Sequence, residues 1–332
     1  MSARTSDPAR GPEAGDQLVP GLVLLARGGI YQVELPDGAV VEATLRGRLK
    51  LEGRTGDSVV AGDRVGVRAA QDPTYTIEDV SPRTTELARA DPRRRGRRAK
   101  VIVANVDRLV VVFAYESPVP NPRLIDRFLV LAEANHLPAV LVANKVDLVM
   151  TEVASAAEPA VPDPDPFEPY ERIGYPVLRT SVESGAGLAE LRAALRDSTS
   201  VLTGPSGVGK SSLLNALWPG LNLRVGEVSE AVNKGRHTTV AARLIPLSEG
   251  AYVADTPGLR ELGLWGVDPA QLDAAFVEFR PHLESCRFGS SCSHTHEPDC
   301  AVVAALERGE IGSPRYESYK LLLEDLAGQP RR

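Results

Sequence analysis

Eight residues past the middle of the chain, Gly204-Pro205-Ser206-Gly207-Val208-Gly209-Lys210-Ser211, fit the pattern G-x-x-x-x-G-K-[ST]. Glycines at those places let backbone N–H groups turn inward around phosphate oxygens, and a helix starting at the lysine adds the positive end of its dipole. Lys210 has the reach to bridge β- and γ-phosphates. The Ser211 hydroxyl, with Ser212 beside it, suits Mg²⁺. The surroundings agree with the motif. A short apolar stretch, 200–203, precedes the loop, and Leu213, Leu214 and Leu217 recur on one side of a following helix.

Asp255-Thr256-Pro257-Gly258 has the D-x-x-G form, in which Asp255 reaches the Mg²⁺ shell through water and the Gly258 N–H faces the γ-phosphate. Between the two phosphate motifs lies Asn233-Lys234-Gly235-Arg236-His237-Thr238-Thr239, where a threonine can close on Mg²⁺ and the γ-phosphate as a switch. Asn144-Lys145-Val146-Asp147 follows a buried strand. Its terminal carboxylate can accept from guanine N1–H and the exocyclic amine together, and adenine lacks that donor pair. Asn144 would support the base edge and Lys145 would cover the ring. In Thr180-Ser181-Val182-Glu183 the backbone of Ser181 and Val182 could hold the guanine carbonyl.

The order of these segments is informative. In an ordinary Ras-like domain the phosphate loop comes first and the base reader later; here the base reader precedes the loop, the switch threonine and the D-x-x-G. A parallel sheet with helical crossovers can be cut at one connection and rejoined at another without moving its site. The order therefore implies a circularly permuted guanine-nucleotide domain.

A second chemistry lies further on. All three cysteines of the chain fall in Cys286-x5-Cys292-x-His294-x5-Cys300. Three thiolates and an imidazole suit a tetrahedral Zn²⁺, and four protein ligands leave no open position, so the site would be structural. His296 competes with His294 as a ligand, and His282 is a more distant choice.

The elements that must position these groups follow from periodicity. Short, partly alternating runs at 22–25, 30–35, 40–43 and 65–67, separated by Gly28-Gly29, Pro36-Asp37-Gly38 and Ala61-Gly62-Asp63, suit a small all-β barrel, with a sandwich as the alternative. The continuous apolar runs 109–114 and 139–143 are strands buried on both faces. Residues 123–135 have a helical period, 176–180 a strand, 188–195 a helix, and 241–246 and 251–254 two strands. The last third turns helical around 269–279, 300–308 and 314–326. Residues 151–171 are rich in Ala, Pro, Asp and Glu. Their prolines exclude a helix or inner strand over 161–169, so the segment is expected to be a mobile surface insertion. Arg83, Arg89, Arg93, Arg94, Arg95, Arg97, Arg98 and Lys100, with Arg46, Arg48 and Lys50, form either a solvated linker or a phosphate-binding patch.

Composition narrows the classes. With 43% hydrophobic and 25% charged residues, wholesale disorder is excluded. A net charge of -6 leaves nucleic-acid contact only to local patches. No apolar run reaches membrane-spanning length, and the first residues lack the apolar core of a secretory signal, which points to the cytoplasm.

Taken together, the chain resembles the ribosome small subunit-dependent GTPase A family. The match covers about residues 20–327 and rests on Leu45-Arg46-Gly47-Arg48, Ala104-Asn105-Val106-Asp107, the Asn144 and Gly204 motifs, Gly235-Arg236-His237-Thr238-Thr239, Asp255-Thr256-Pro257-Gly258 and the segment from Cys292 to Cys300. The resemblance implies a disordered tail (1–19), an OB-fold barrel (20–92), a permuted P-loop GTPase sheet with helices on both faces (93–265, insertion 151–171) and a helical zinc domain (266–332). It implies hydrolysis of GTP to GDP and phosphate stimulated by the small ribosomal subunit, a role in that subunit's late maturation, and rRNA contact by a protein expected to be a monomer away from membranes. Leu259 stands where many GTPases carry a water-orienting glutamine, and the resemblance suggests His237 in its place. Lys210, Thr239, Asp255 and Gly258 complete the catalytic set, with Ser211 and Thr239 on Mg²⁺. One departure stands out: the family usually has four residues between the first two cysteines and this chain has five, which makes Cys286 the weakest member of the ligand set. The rival readings are an RNA-binding checkpoint in which hydrolysis is incidental, and a scaffold with a decayed site. Intact Lys210, Ser211, Asp255 and Asp147 speak against decay.

Overall fold

Alternation in β8 (Arg108–Ala114) divides the nucleotide-binding sheet into two faces. Leu109, Val111 and Phe113 pack with α1 (Pro122–Ala134), whereas Val110, Val112 and Ala114 pack with α3 (Leu188–Leu195) and α4 (Lys210–Leu217). A strand buried on both sides has to be apolar throughout, which is why this run shows no polar residue after Arg108. The computed structural model describes residues 18–47, 58–69, 74–90, 99–149, 164–223, 242–255 and 267–327.

The sheet runs β10-β9-β8-β11-β13-β12, where β9 is Ala139–Asn144, β10 Val177–Arg179, β11 Thr199–Thr203, β12 Arg243–Pro246 and β13 Tyr252–Asp255. All neighbours are parallel except β12, which is antiparallel to β13. In such a sheet the loops leaving the C-terminal strand ends share one rim, and ligands bind there. Asn144, Thr180, Gly204 and Asp255 all stand at that rim, each at or just after the end of its strand.

The N-terminal strands close on themselves. β1 (Val19–Arg27) pairs with β2 (Ile30–Glu34), β2 with β3 (Val40–Leu45), β3 in parallel with β5 (Tyr75–Val80), β5 with β4 (Arg64–Ala69), and β4 back with β1. The expected barrel is thus a five-stranded closed one with OB-like order. It is filled by Val23, Tyr31, Val33, Ala43, Val65, Val67, Ile77 and Val80. β1 also meets β12 at Leu25↔Arg243, so barrel and nucleotide sheet share hydrogen bonds. β6 (Glu86–Ala90) and β7 (Ala99–Ala104) form a separate antiparallel ribbon. Of the basic residues expected to serve as linker or phosphate patch, Arg83 is engaged: its guanidinium forks onto the fully buried Asp63 at 2.7 and 2.9 Å. Arg46 pairs with Glu78. Residues 48–50 and 93–98 lie outside the described residues.

Two local expectations are corrected. Residues 269–279 do not form one helix; a 3-10 turn (Pro269–Gln271), capped by the Asp268 carboxylate, gives way to further turns. Those turns let both Phe276 and Phe279 point inward against Tyr319 at 5.4 and 5.0 Å. The insertion is not free along its whole length. Phe167 is fully buried, and α2 (Glu168–Arg172) is helical with Pro169 in its first turn, where a missing N–H costs no hydrogen bond. Residues 150–163 lie outside the described residues.

The C-terminal part packs α5 (Arg280–Leu283), α6 (Ala301–Glu307) and α7 (Ser313–Ala327) around the two phenylalanines and the three cysteines. α1 is shared: its Val130 belongs to this cluster while its other buried face lies on the sheet. At the junction Arg315, 5% exposed, donates to Asp126 of α1 and to both carboxylate oxygens of Glu278 (2.7 and 3.1 Å), and stacks over Phe276. Tyr170 of α2 donates to the same Asp126 at 2.9 Å. Removing one member of a buried ionic set leaves a charge without compensation. Asp126→Ala is expected to cost ~3 kcal/mol of stability, measured by urea unfolding.

Candidate functional site

The phosphate loop leaves β11 at Gly204 and enters α4 at Lys210. Gly204 has φ +135°, and a Cβ there would lie 2.0 Å from the Val112 carbonyl oxygen, so the loop rests directly on β8. Pro205, Ser206, Gly207 and Val208 complete the turn, with Val208 fully buried as its apolar anchor. Lys210 Nζ donates to the carbonyl oxygens of Gly204 (2.9 Å) and Pro205 (2.7 Å), so the ammonium lies within the loop's own concavity. Ser211 is buried at the first turn of α4, and Ser212 is half-buried beside it.

The base-reading segment meets this loop. Asn144, 2% exposed, donates from Nδ2 to the Val208 carbonyl (2.8 Å) and accepts on Oδ1 from the Thr180 hydroxyl (3.0 Å). One amide therefore ties the ends of β9 and β10 to the phosphate loop. The approach is so close that a Cβ on Gly209, itself at φ +97°, would fall 2.4 Å from Asn144 Nδ2. Lys145 takes a left-handed conformation (φ 59°) and donates to the Ser117 carbonyl in the loop after β8. Val146 is buried, its N–H bound to the Thr180 carbonyl (3.1 Å), and places Asp147 in a 3-10 turn (Val146–Leu148) as a half-buried carboxylate. Ser181 is fully buried and its Oγ accepts from Ser184 N–H, which folds the Ser181-Val182 backbone into a tight turn beside Asp147.

Asp255 ends β13, and its neighbour Ala254 is in register with Val201 of β11. The carboxylate thus stands on the strand next to the phosphate loop, at the same rim as Ser211. A serine hydroxyl and a carboxylate are the hard oxygen donors that Mg²⁺ selects. His237, Thr239 and Gly258 lie outside the described residues.

Thr180 is the member of this site that motif reading leaves without a role. Only its hydroxyl's contact with Asn144 reveals one, and that needs the two strand ends side by side.

In the C-terminal part, Sγ of Cys286, Cys292 and Cys300 and a ring nitrogen of His294 all lie within 4.8 Å of one another, and all four residues are buried. Cys286 and Cys300 Sγ are 3.9 Å apart, and His294 Nδ1 lies 3.5 and 3.4 Å from them. Tetrahedral zinc with Zn–S of about 2.3 Å and Zn–N of about 2.0 Å needs S···S of about 3.8 Å and S···N of about 3.5 Å. The donor set fits such an ion. His296 is exposed, its Nδ1 on the Thr295 hydroxyl, and His282 faces Glu310; neither joins the cluster. Cys286 does join it. The longer spacing is taken up by a 3-10 turn (Gly289–Ser291) between Cys286 and Cys292.

Several side chains hold this cluster in shape. Asp273 Oδ2 lies 3.3 Å from His294 Nε2, which leaves Nδ1 for the thiolates. The Glu297 carboxylate accepts from the N–H groups of Ser293, Thr295 and His296, and these bonds hold its pKa well below the usual range despite partial burial. Tyr316 and Tyr319 of α7 donate to the carbonyls of His294 (2.7 Å) and Ser293 (2.9 Å). Burial pushes the Cys292 thiol up to about 12. Cys300 is also raised by burial, but the N–H groups of Val302 and Val303 and the His294 ring more than offset this and leave it lowered. Burial disfavours the His294 cation, yet Asp273 and the two neighbouring sulfurs hold its pKa at about 9. A metal binding here displaces those protons. Asp273→Asn is expected to lower Zn²⁺ affinity 10- to 100-fold, read by competition with a chromophoric chelator, while Cys292→Ser removes the stoichiometric metal.

Comparison with known proteins places the chain in one family. The RsgA GTPase family matches residues 80–265. The small ribosomal subunit biogenesis GTPase RsgA of Gemmatimonas aurantiaca is 50% identical over 312 residues, 93% of this chain and 98% of that protein. Its namesake from Moorella thermoacetica is 42% identical over 311 residues, 94% of this chain and 98% of that one. The crystal structure of YjeQ from Thermotoga maritima covers 94% of this chain and 99% of its own, with 34% identity and a TM-score of 0.73. YloQ, a circularly permuted GTPase, covers 98% of this chain and 100% of its own at 30% identity and a TM-score of 0.72. The inverted motif order, the parallel rim where those motifs meet and the extent of these matches lead to one conclusion: the chain belongs to the RsgA GTPase family.

Proposed function

We propose that this chain hydrolyses GTP to GDP and phosphate in the late maturation of the small ribosomal subunit, that the subunit stimulates turnover, and that the protein contacts rRNA there as a cytoplasmic monomer. The observation that carries the nucleotide part is the Asn144 amide, which holds the guanine-reading segment against the phosphate loop. The relatives' printed names supply the ribosomal part. No helix among the described residues is long and apolar enough to cross a membrane. In this reading residues 20–92 form the barrel unit, 93–265 the GTPase and 266–332 a unit held by one structural Zn²⁺ on Cys286, Cys292, His294 and Cys300.

The roles are those the motifs and the family resemblance suggest, and the shared rim of Asn144, Thr180, Gly204 and Asp255 supports them. Asp147 accepts from guanine N1–H and the exocyclic amine, the Lys145 stem lies over the base, and the backbone of Ser181 and Val182 faces the guanine carbonyl. The N–H groups of the loop from Gly204 to Gly209, with Ser211 and Ser212 behind, cradle the phosphates. Lys210 shifts from its loop carbonyls to the β- and γ-phosphate oxygens. Ser211 and Thr239 hold Mg²⁺ with Asp255 behind them; when bound, that ion adds charge stabilisation at the transferring phosphate. The D-x-x-G pattern assigns the Gly258 N–H to the γ-phosphate. Leu259 has no group to orient water, and His237 takes that task once the ribosome orders the switch, so turnover without the subunit is slow.

Two measurements test this. Asp147→Asn shifts preference from GTP to xanthosine triphosphate; retained GTP preference removes the base-reader role. Phosphate release from GTP rises roughly tenfold or more on titration with small subunits, and His237→Ala keeps GTP affinity but loses that rise. Absence of stimulation in the wild type favours the RNA-binding checkpoint instead.

A further inference from the structure

The loop that carries Thr180 and Ser181 hangs on a short edge ladder of the sheet. β10 is an edge strand of three residues, paired on one side only, with Val177↔Leu141, Leu178↔Val142 and Arg179↔Ala143 in register. The next two residues, Thr180 and Ser181, are nevertheless fully buried, and Thr180 holds both Asn144 and Val146. So short an edge strand opens readily by local fraying. Something beyond its ladder fixes its end.

Arg179 supplies that restraint. Its guanidinium makes a bidentate pair with Glu171 (2.7 and 2.7 Å), donates to Asp165 (2.6 Å), and donates from Nε to the Tyr115 hydroxyl (3.1 Å). A planar fork is suited to such a set and an ammonium is not. Tyr115 follows β8, and its N–H donates to the Asn144 carbonyl (3.0 Å), so the clamp reaches the same residue from the other side. Asp165 and Glu171 come from the acidic, proline-rich segment 151–171, to which the nucleotide chemistry gave no task. The Phe167 ring, edge-on to Tyr115 at 5.0 Å, seats that stretch in the core.

We propose that Arg179, clamped by Asp165 and Glu171, is a positioning residue for guanine recognition: it holds Thr180-Ser181 at a fixed spacing from Asn144–Asp147. The inference rests on the base-reading role proposed above for Asp147. The phosphate loop belongs to β11, separated from β10 by β9 and β8. Releasing the clamp therefore loosens the base end of the site and spares the phosphate end.

The test compares GDP with inosine diphosphate, which lacks the exocyclic amine. In Arg179→Met, which keeps the apolar stem and loses the fork, GDP affinity falls roughly tenfold, as for one lost charge-assisted anchor. The GDP-over-inosine preference shrinks with it, and KM for GTP rises while kcat at saturation stays within about twofold. Asp165→Asn, a milder change that keeps the chain folded should the first variant not fold, moves the same quantities the same way by less. A wild-type GDP-over-inosine ratio in both variants overturns the proposal, as does a parallel loss of affinity and kcat at an unchanged ratio. Asp147→Asn is measured beside them. If it leaves the ratio intact, the base-reader assignment fails; if it alone collapses the ratio, only the clamp fails.

Discussion

The nucleotide site depends on one buried amide. Asn144 can satisfy its donor and its acceptor together only if the Val208 carbonyl and the Thr180 hydroxyl stand on either side of it. Leaving either unmet inside the protein costs about 1–3 kcal/mol. This locks three loops that are far apart in sequence into one spacing, and it dictates glycine at 209, where a side chain would collide with the amide. The connectivity between those loops is then free to vary. A base reader placed before the phosphate loop works as well as one placed after it, because the constraint acts at the shared rim and not along the chain.

The Cys/His cluster is the second fixed point, and its surroundings explain how a polar loop is ordered around it. Glu297 gathers three N–H groups of the loop, two tyrosines of α7 hold its carbonyls, and Asp273 orients the imidazole. The ligands close the loop, while these bonds satisfy the backbone groups that closure would otherwise strand. The extra residue between Cys286 and Cys292 is tolerated for the same reason. The stretch between them holds a 3-10 turn (Gly289–Ser291) whose preceding Phe288 is exposed.

Much of this was legible in the sequence, and the division has a physical basis. Strands buried on both faces, such as 109–114 and 139–143, announce themselves by unbroken apolar runs, and the phosphate loop by glycines that no side chain could replace. Residues 269–279 misled because two phenylalanines three apart fit a helical period equally well when turns carry them inward. The end of the proline-rich insertion misled because its prolines exclude a long helix but permit one turn, and its one decisive residue, Phe167, is apolar among charges. Asp273 and Arg179 carried no local signal at all. Each acts on a partner distant in sequence or on a neighbour that only the fold brings near, so neither spacing nor period could mark them.

The part of the chain that carries the Cys/His cluster packs back on a helix of the nucleotide sheet. The C-terminal part follows Asp255 in sequence, yet it packs on α1, the helix between β8 and β9 that precedes the strand ending at Asn144. Arg315 on Asp126 and Arg123 on Asp325 fasten α7 along that helix. An unpermuted domain would place these two connections at unrelated points of the chain. Here one small unit follows in sequence the strand that ends at Asp255 and is joined by a buried ion pair to the helix that precedes the strand ending at Asn144. Tyr316 and Tyr319 of the same α7 donate to the His294 and Ser293 carbonyls, so one helix joins the Cys/His cluster to α1.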